Sequence, residues 1–230
     1  MPEIIPYDRQ AAVAYAHRWA FGRNPEYYDY EELGGDCTSF ASQCLYAGTG
    51  VMNFTPTYGW YYLNSNDKAP AWSGVPYFYN FVTRPEQTQG PFGLQASLEM
   101  LLPGDFVQLR FAADRFGHTP VVVEVGDPPR LDNILVAAHS VDADYRPLST
   151  YNFQELRAIH ILGAYPPQGT GPTPQPPASE EGTEGEGSDE ESSEGETPQE
   201  PEGETPQEPE EDRWPWPPWL FPLFPLFPLP

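Results

Sequence analysis

Two cysteines and four histidines are the thiols and imidazoles of this 230-residue chain. A thiol becomes a nucleophile when a nearby base takes its proton and a third group orients that base. In GGDCTSFASQCLYAG, Cys37 follows Asp36 at the predicted start of a helix. Unpaired N–H groups and the helix dipole there favour a thiolate and offer donors to an oxyanion. The adjacent Asp36 carboxylate opposes a thiolate unless it is turned away or spent as the N-cap. Gly34 and Gly35 let another backbone come close to the thiol. Cys44 lies on the stripe Cys37, Phe40, Ala41, Cys44, Leu45 and reads as a core residue. Seven helical residues rise about 10.5 Å, beyond the roughly 7 Å between Cα atoms that a disulfide tolerates, so both thiols are expected free.

Of the histidines, His118 opens the apolar run HTPVVVEVG and His139 closes ILVAAHS. If these are antiparallel strands joined through GDPPRLDN, the start of one lies beside the end of the other. The resulting expectation is Cys37 as nucleophile, His118 as base and His139 as its orienter, with Asp142 or Asp36 as the alternative third or supporting residue. On spacing alone, three unrelated side chains remain the competing reading. Pro120 removes a ladder donor, so His118 must sit at a strand start, an edge or a bulge. His17, before Arg18 in the first helix, reads as a surface or satisfied side chain, and His160, between Ile159 and Ile161, as a packed or edge residue. With no CxxC pair and no histidine at ligand spacing from either cysteine, neither a metal nor another cofactor is expected.

The elements that must position these groups fall in a simple order. Asp8 can cap a helix over AAVAYAHRWAF, and a second runs from Asp36 to Gly48 and Gly50. Residues 51–100, rich in aromatics, read as irregular loops around one or two short helices; Trp60 and Trp72 are groove candidates for peptide or glycan rings, against ordinary packing. GDFVQLRF, HTPVVVEVG, ILVAAHS and LRAIHILGAY then follow as strands with turn signals between them. Helices first and strands afterwards predict an α+β domain with an antiparallel sheet.

Composition bounds the partners. The net charge of −23 divides into −8 for residues 1–165 and −15 for the remainder, and Lys68 is the only lysine. Such a chain repels phosphates, which excludes nucleic acid. The N-terminus shows neither a basic segment nor an apolar stretch, so the chain as written reads as cytoplasmic. Three segments are expected: a catalytic domain over residues 1–166, a disordered, acidic, Pro/Glu/Gly-rich linker over 167–212 that carries the near-repeat ETPQEPEG–ETPQEPEE, and an apolar terminus over 213–230. That terminus, WPWPPWLFPLFPLFPLP, has too many prolines for a membrane helix and suits polyproline II. A contact role is expected for it, with a protein partner or a membrane surface.

YDRQAAVAYAHRWAFGRNPEYYDY, GGDCTSFASQCLYAG, the GWYY segment, PAWSGV, PGD before a strand, GHTPVVV and the AAHSVD strand end follow in the order of the bacterial "putative amidase" domain, which this chain resembles over most of residues 7–165. That domain is similar to NlpC-type and CHAP cysteine peptidases and amidases. The resemblance implies a papain-like core, Cys37 as nucleophile, His118 as base and His139 in the third position. It also implies a peptide or peptidoglycan-fragment substrate. The competing reading is a binding module that keeps the fold and the pocket without turnover. Related enzymes commonly act on cell wall, so the absence of a leader is unexpected.

Overall fold

Asp8 accepts the Ala11 N–H at 2.9 Å and starts α1 (Arg9–Trp19) as its sequence predicts. The computed structural model describes residues 3–112 and 114–167. The expected linker and apolar terminus lie outside the described residues, apart from Pro167. Helix α2 (Cys37–Thr49) ends where Gly50 takes φ +66° and returns its N–H to the Tyr46 carbonyl. Two short helices follow, α3 (Pro70–Ser73) and α4 (Val75–Val82), each with proline in its first turn.

The strands are β1 (Gly90–Ala96), β2 (Phe106–Arg110), β3 (Val121–Val125), β4 (Ile134–Ala138), β5 (Ala143–Pro147) and β6 (Glu155–Tyr165). They form one antiparallel sheet in the order β1-β6-β2-β3-β4-β5, so the domain is α+β. The four strands predicted from sequence are β2, β3, β4 and β6, the interior of this sheet. Both edge strands were missed. β1 was assigned to irregular loop because it carries three helix- and strand-weakening residues, Gly90, Pro91 and Gly93. It forms because β6 supplies its partner, and Gly93 fits because a Cβ there would stand 2.4 Å from the His160 carbonyl oxygen. β5 lies in DADYRP, one of the turn signals between the predicted strands, and its Tyr145 does hold a positive φ of 50°.

Alternation along the strands divides the apolar residues between two cores. Phe106, Val121, Val123, Ala137, Ile159 and Ile161 face α1, α2 and α4, where Phe40, Cys44, Leu45, Phe78 and the tryptophans pack. Val107, Leu109, Val122, Ile134, Val136 and Ala158 line the opposite face, covered by Leu101, Leu148 and partly buried Tyr151 and Phe153. Among the described residues no helix is long and apolar enough to cross a membrane.

Candidate active site

Cys37 is the first residue of α2, and the first helical hydrogen bond runs from the Phe40 N–H to the Asp36 carbonyl at 2.9 Å. The N–H groups of Cys37, Thr38 and Ser39 therefore precede the helical ladder. The thiol is buried and free, as is Cys44, which is enclosed in the helix-side core. The Cys37 Sγ lies 3.7 Å from the Thr38 hydroxyl, with the main-chain N–H of Thr119 nearby. Burial pushes this thiol above its ordinary range, the Thr119 and Thr38 donors pull the other way, and the Asp36 charge adds to the rise.

A polar chain fixes this junction of helix and sheet. Thr38 and Thr119 share a hydrogen bond at 3.0 Å between their hydroxyls, and Thr119 in turn accepts from the Gln108 amide at 3.2 Å. The same amide reaches the Val75 carbonyl at 2.8 Å, tying α4 into the chain. Sequence reasoning overlooked Thr38, Thr119 and Gln108. Their only signal was position, one residue beyond Cys37, one beyond His118 and mid-strand in β2.

The Asp36 carboxylate neither caps α2 nor faces the thiol. One oxygen accepts the Tyr30 N–H at 3.2 Å and the other lies 2.7 Å from His139 Nδ1. The second ring nitrogen of His139 lies 2.8 Å from the Trp19 carbonyl, and its ring stacks on Phe40 at 3.9 Å. Both nitrogens of His139 are thus engaged away from His118. The reason is a one-residue offset. Val121 pairs with Ala137, and continuing that register sets His139 opposite Thr119 on the helix side, and His118 opposite Ser140 on the other face. The predicted hairpin is present, yet the two imidazoles point to opposite faces. Asp142 forms a two-pronged pair with Arg23, both contacts 3.0 Å, and so is not at His118 either.

His118 stands beside the opening of a cavity of about 380 Å³, lined also by Phe111, Ser140, Arg146, Tyr151 and Asn152. Its main chain bridges Leu109, donating nothing from the ring, and no hydrogen bond to either ring nitrogen occurs among the described residues. Burial, aided by the Arg146 charge, lowers its pKa to about 4. One wall of the cavity is strained: Ser140 and exposed Val141 hold φ of 60° and 87°. Ser140 earns that conformation by accepting the Asp36 N–H and donating to Glu31, both at 2.8 Å. Gly35, at φ +106°, leaves room for it, since a Cβ there would lie 2.9 Å from the Ser140 hydroxyl oxygen.

Trp60 and Trp72 are no part of this cavity. Both are fully buried and in ring contact at 5.1 Å, with Trp60 Nε1 donating to the Ser42 hydroxyl. The groove expectation is corrected: α2, α3 and α4 close over these rings because each buries a large apolar surface there.

Against this geometry, the family model described as "Putative amidase domain" matches residues 6–162. This chain belongs to that family. Membership makes it an amidase-like domain and supports an amide hydrolase as its broad class. A relative in Bacillus subtilis (strain 168), the "Uncharacterized protein YhbB", is 32% identical over 148 residues, which is 61% of this chain and 43% of that protein. The match thus spans less than half the length of that relative. No solved structure matches the chain.

Proposed function

We propose that the domain is a cysteine-dependent amide hydrolase with Cys37 as nucleophile and His118 as general base. The observation that carries this reading is the 3.0 Å hydrogen bond between the Thr38 and Thr119 hydroxyls, which joins the residue after Cys37 to the residue after a buried imidazole that has no hydrogen bond among the described residues and lines a cavity. His118 takes the thiol proton as Sγ attacks the amide carbon, and the first-turn N–H groups of α2 face the developing oxyanion. The imidazolium then returns the proton to the leaving amine, and water cleaves the thioester.

The raised thiol and lowered imidazole mean that both groups are neutral in the empty site. Proton transfer then accompanies attack rather than preceding it, and catalytic hydrogen bonds tighten only around bound substrate. His139 is assigned a different part from the one its sequence position suggested: it holds Asp36, which anchors the start of α2. The sequence resemblance to NlpC-type and CHAP enzymes favours a papain-like core and a substrate among peptides, including peptidoglycan stem peptides.

A second reading, a binding module without turnover, is favoured by the same absence of a preformed thiolate. Mass spectrometry of muropeptides and short peptides incubated with the full chain separates the two. Amide cleavage by wild type that is abolished in Cys37→Ala is the expected result. Equal cleavage by both proteins, or none by either, would sink the hydrolase reading.

A further inference from the structure

Two tyrosine hydroxyls, those of Tyr30 and Tyr151, are buried without a hydrogen-bond partner among the described residues. A buried phenol without a partner costs stability, so each calls for a physical reason. Tyr30 lies beneath Lys68, 4.8 Å from the ring centroid, and its titratable neighbours are Tyr62, Asp36 and Tyr28. None of these is the reacting thiol.

Tyr151 differs in every respect. It lines the cavity that His118 opens onto, and its ring lies 5.6 Å from the His118 ring. Its phenol lies close enough to Cys37 for a charge on the thiol to raise the phenol's pKa. The Arg146 guanidinium sits over its ring at 3.9 Å and favours negative charge on the oxygen, although no hydrogen bond of ordinary geometry joins them. Arg146 is itself held by the Thr150 hydroxyl at 2.9 Å, and the Tyr151 N–H is tied to the Leu148 carbonyl at 3.1 Å. The phenol is a fixed donor, polarised by a cation, that has no acceptor among the described residues. An acceptor appears only when a carbonyl oxygen enters the site.

Building on the Cys37 reading, we propose that Tyr151 is a further catalytic residue, whose hydroxyl donates a hydrogen bond to the substrate carbonyl oxygen as Cys37 attacks. As the Sγ–C bond forms, the carbonyl π pair moves to oxygen, and the Tyr151 O–H stabilises that charge while keeping its proton. Collapse restores the C=O bond and expels the leaving group, leaving a thioester on Cys37. The donor therefore acts on reactions that pass through an oxyanion and not on those that do not.

The test compares two reactions of the same thiol in the full chain. p-Nitrophenyl acetate acylates Cys37 through an oxyanion and releases p-nitrophenolate; iodoacetamide alkylates it by displacement at a saturated carbon, with no oxyanion. In Tyr151→Phe the acylation rate should fall about 100- to 1,000-fold, the scale of one lost oxyanion donor, while the alkylation rate and its pH profile stay at the wild-type level. Tyr30→Phe should change neither. Acylation undiminished in Tyr151→Phe overturns the assignment, as does an equal fall in both reactions, which would mean that Tyr151 acts on the thiol. A loss found in Tyr30→Phe instead also overturns it. Because Tyr151→Phe removes an atom without a partner, its thermal midpoint should match or exceed that of wild type. If wild type forms no acetyl-thioester at Cys37 by mass spectrometry, the nucleophile reading fails first and this one with it, a result distinct from failure of Tyr151 alone.

Discussion

His118 shows how burial sets the working range of a single side chain. Its folded pKa of about 4 lies below the ordinary histidine value of about 6.5. In that interval the unfolded chain binds a proton that the folded chain refuses. The stability His118 contributes is therefore fully present above about pH 6.5 and is lost as pH falls towards 4, by about 3 kcal/mol. Urea unfolding at pH 7 and pH 4 should show wild type losing about 2–3 kcal/mol more than His118→Gln, since other groups titrate alike in both. Equal losses would show that the imidazole is not held neutral by its surroundings. Sequence singled out Cys37 and His118 by type and position, but it had no means of finding Tyr151 or Arg146. Arg146 belongs to a turn signal and Tyr151 to no predicted element, and only packing brings them to the cavity.

The start of α2 is held as a unit from outside the helix. Asp36 receives Tyr30, His139 and the long-range charge of Arg23, which also binds Asp142 and approaches Asp29 at 3.4 Å. These contacts gather the loop before α2 and the turn after β4 around the first turn that carries Cys37. Breaking the Asp36–His139 pair from one side leaves a buried polar group unpaired. His139→Phe should cost about 2–4 kcal/mol in urea unfolding, and the double variant with Asp36→Ala should cost less than the sum of the single changes. Strict additivity would show that the two groups do not act together. The helix itself was legible in the apolar stripe and in Gly50. The orientation of Asp36 was not, because a carboxylate before a helix caps it unless a tertiary partner offers more, and that partner is 103 residues away.

Across the described residues, one sheet separates two cores, and Trp60, Trp72, Phe78 and Phe81, between α2 and β1, belong to the helix-side core rather than to a substrate groove. Trp60→Phe keeps an aromatic ring in that core but leaves a gap, so it should lower stability by about 1–3 kcal/mol. The Ser42 hydroxyl would still donate to the Trp72 carbonyl at 2.7 Å. Alkylation of Cys37 and the KM for any cleaved peptide should not change; a several-fold rise in KM would restore Trp60 to the groove. Local sequence was enough for α1, α2 and the four interior strands, because capping residues, helical stripes and apolar runs act over a few neighbouring positions. It also marked Cys37 and His118, which stand at element starts. The two edge strands, the facing of His139, the closing of the tryptophans into the core and the unpaired phenol of Tyr151 depend on contacts tens of residues apart. Strand register decides these: a shift of one residue moves a side chain to the other face of the sheet, and nothing within a single strand records which partner residue it will meet.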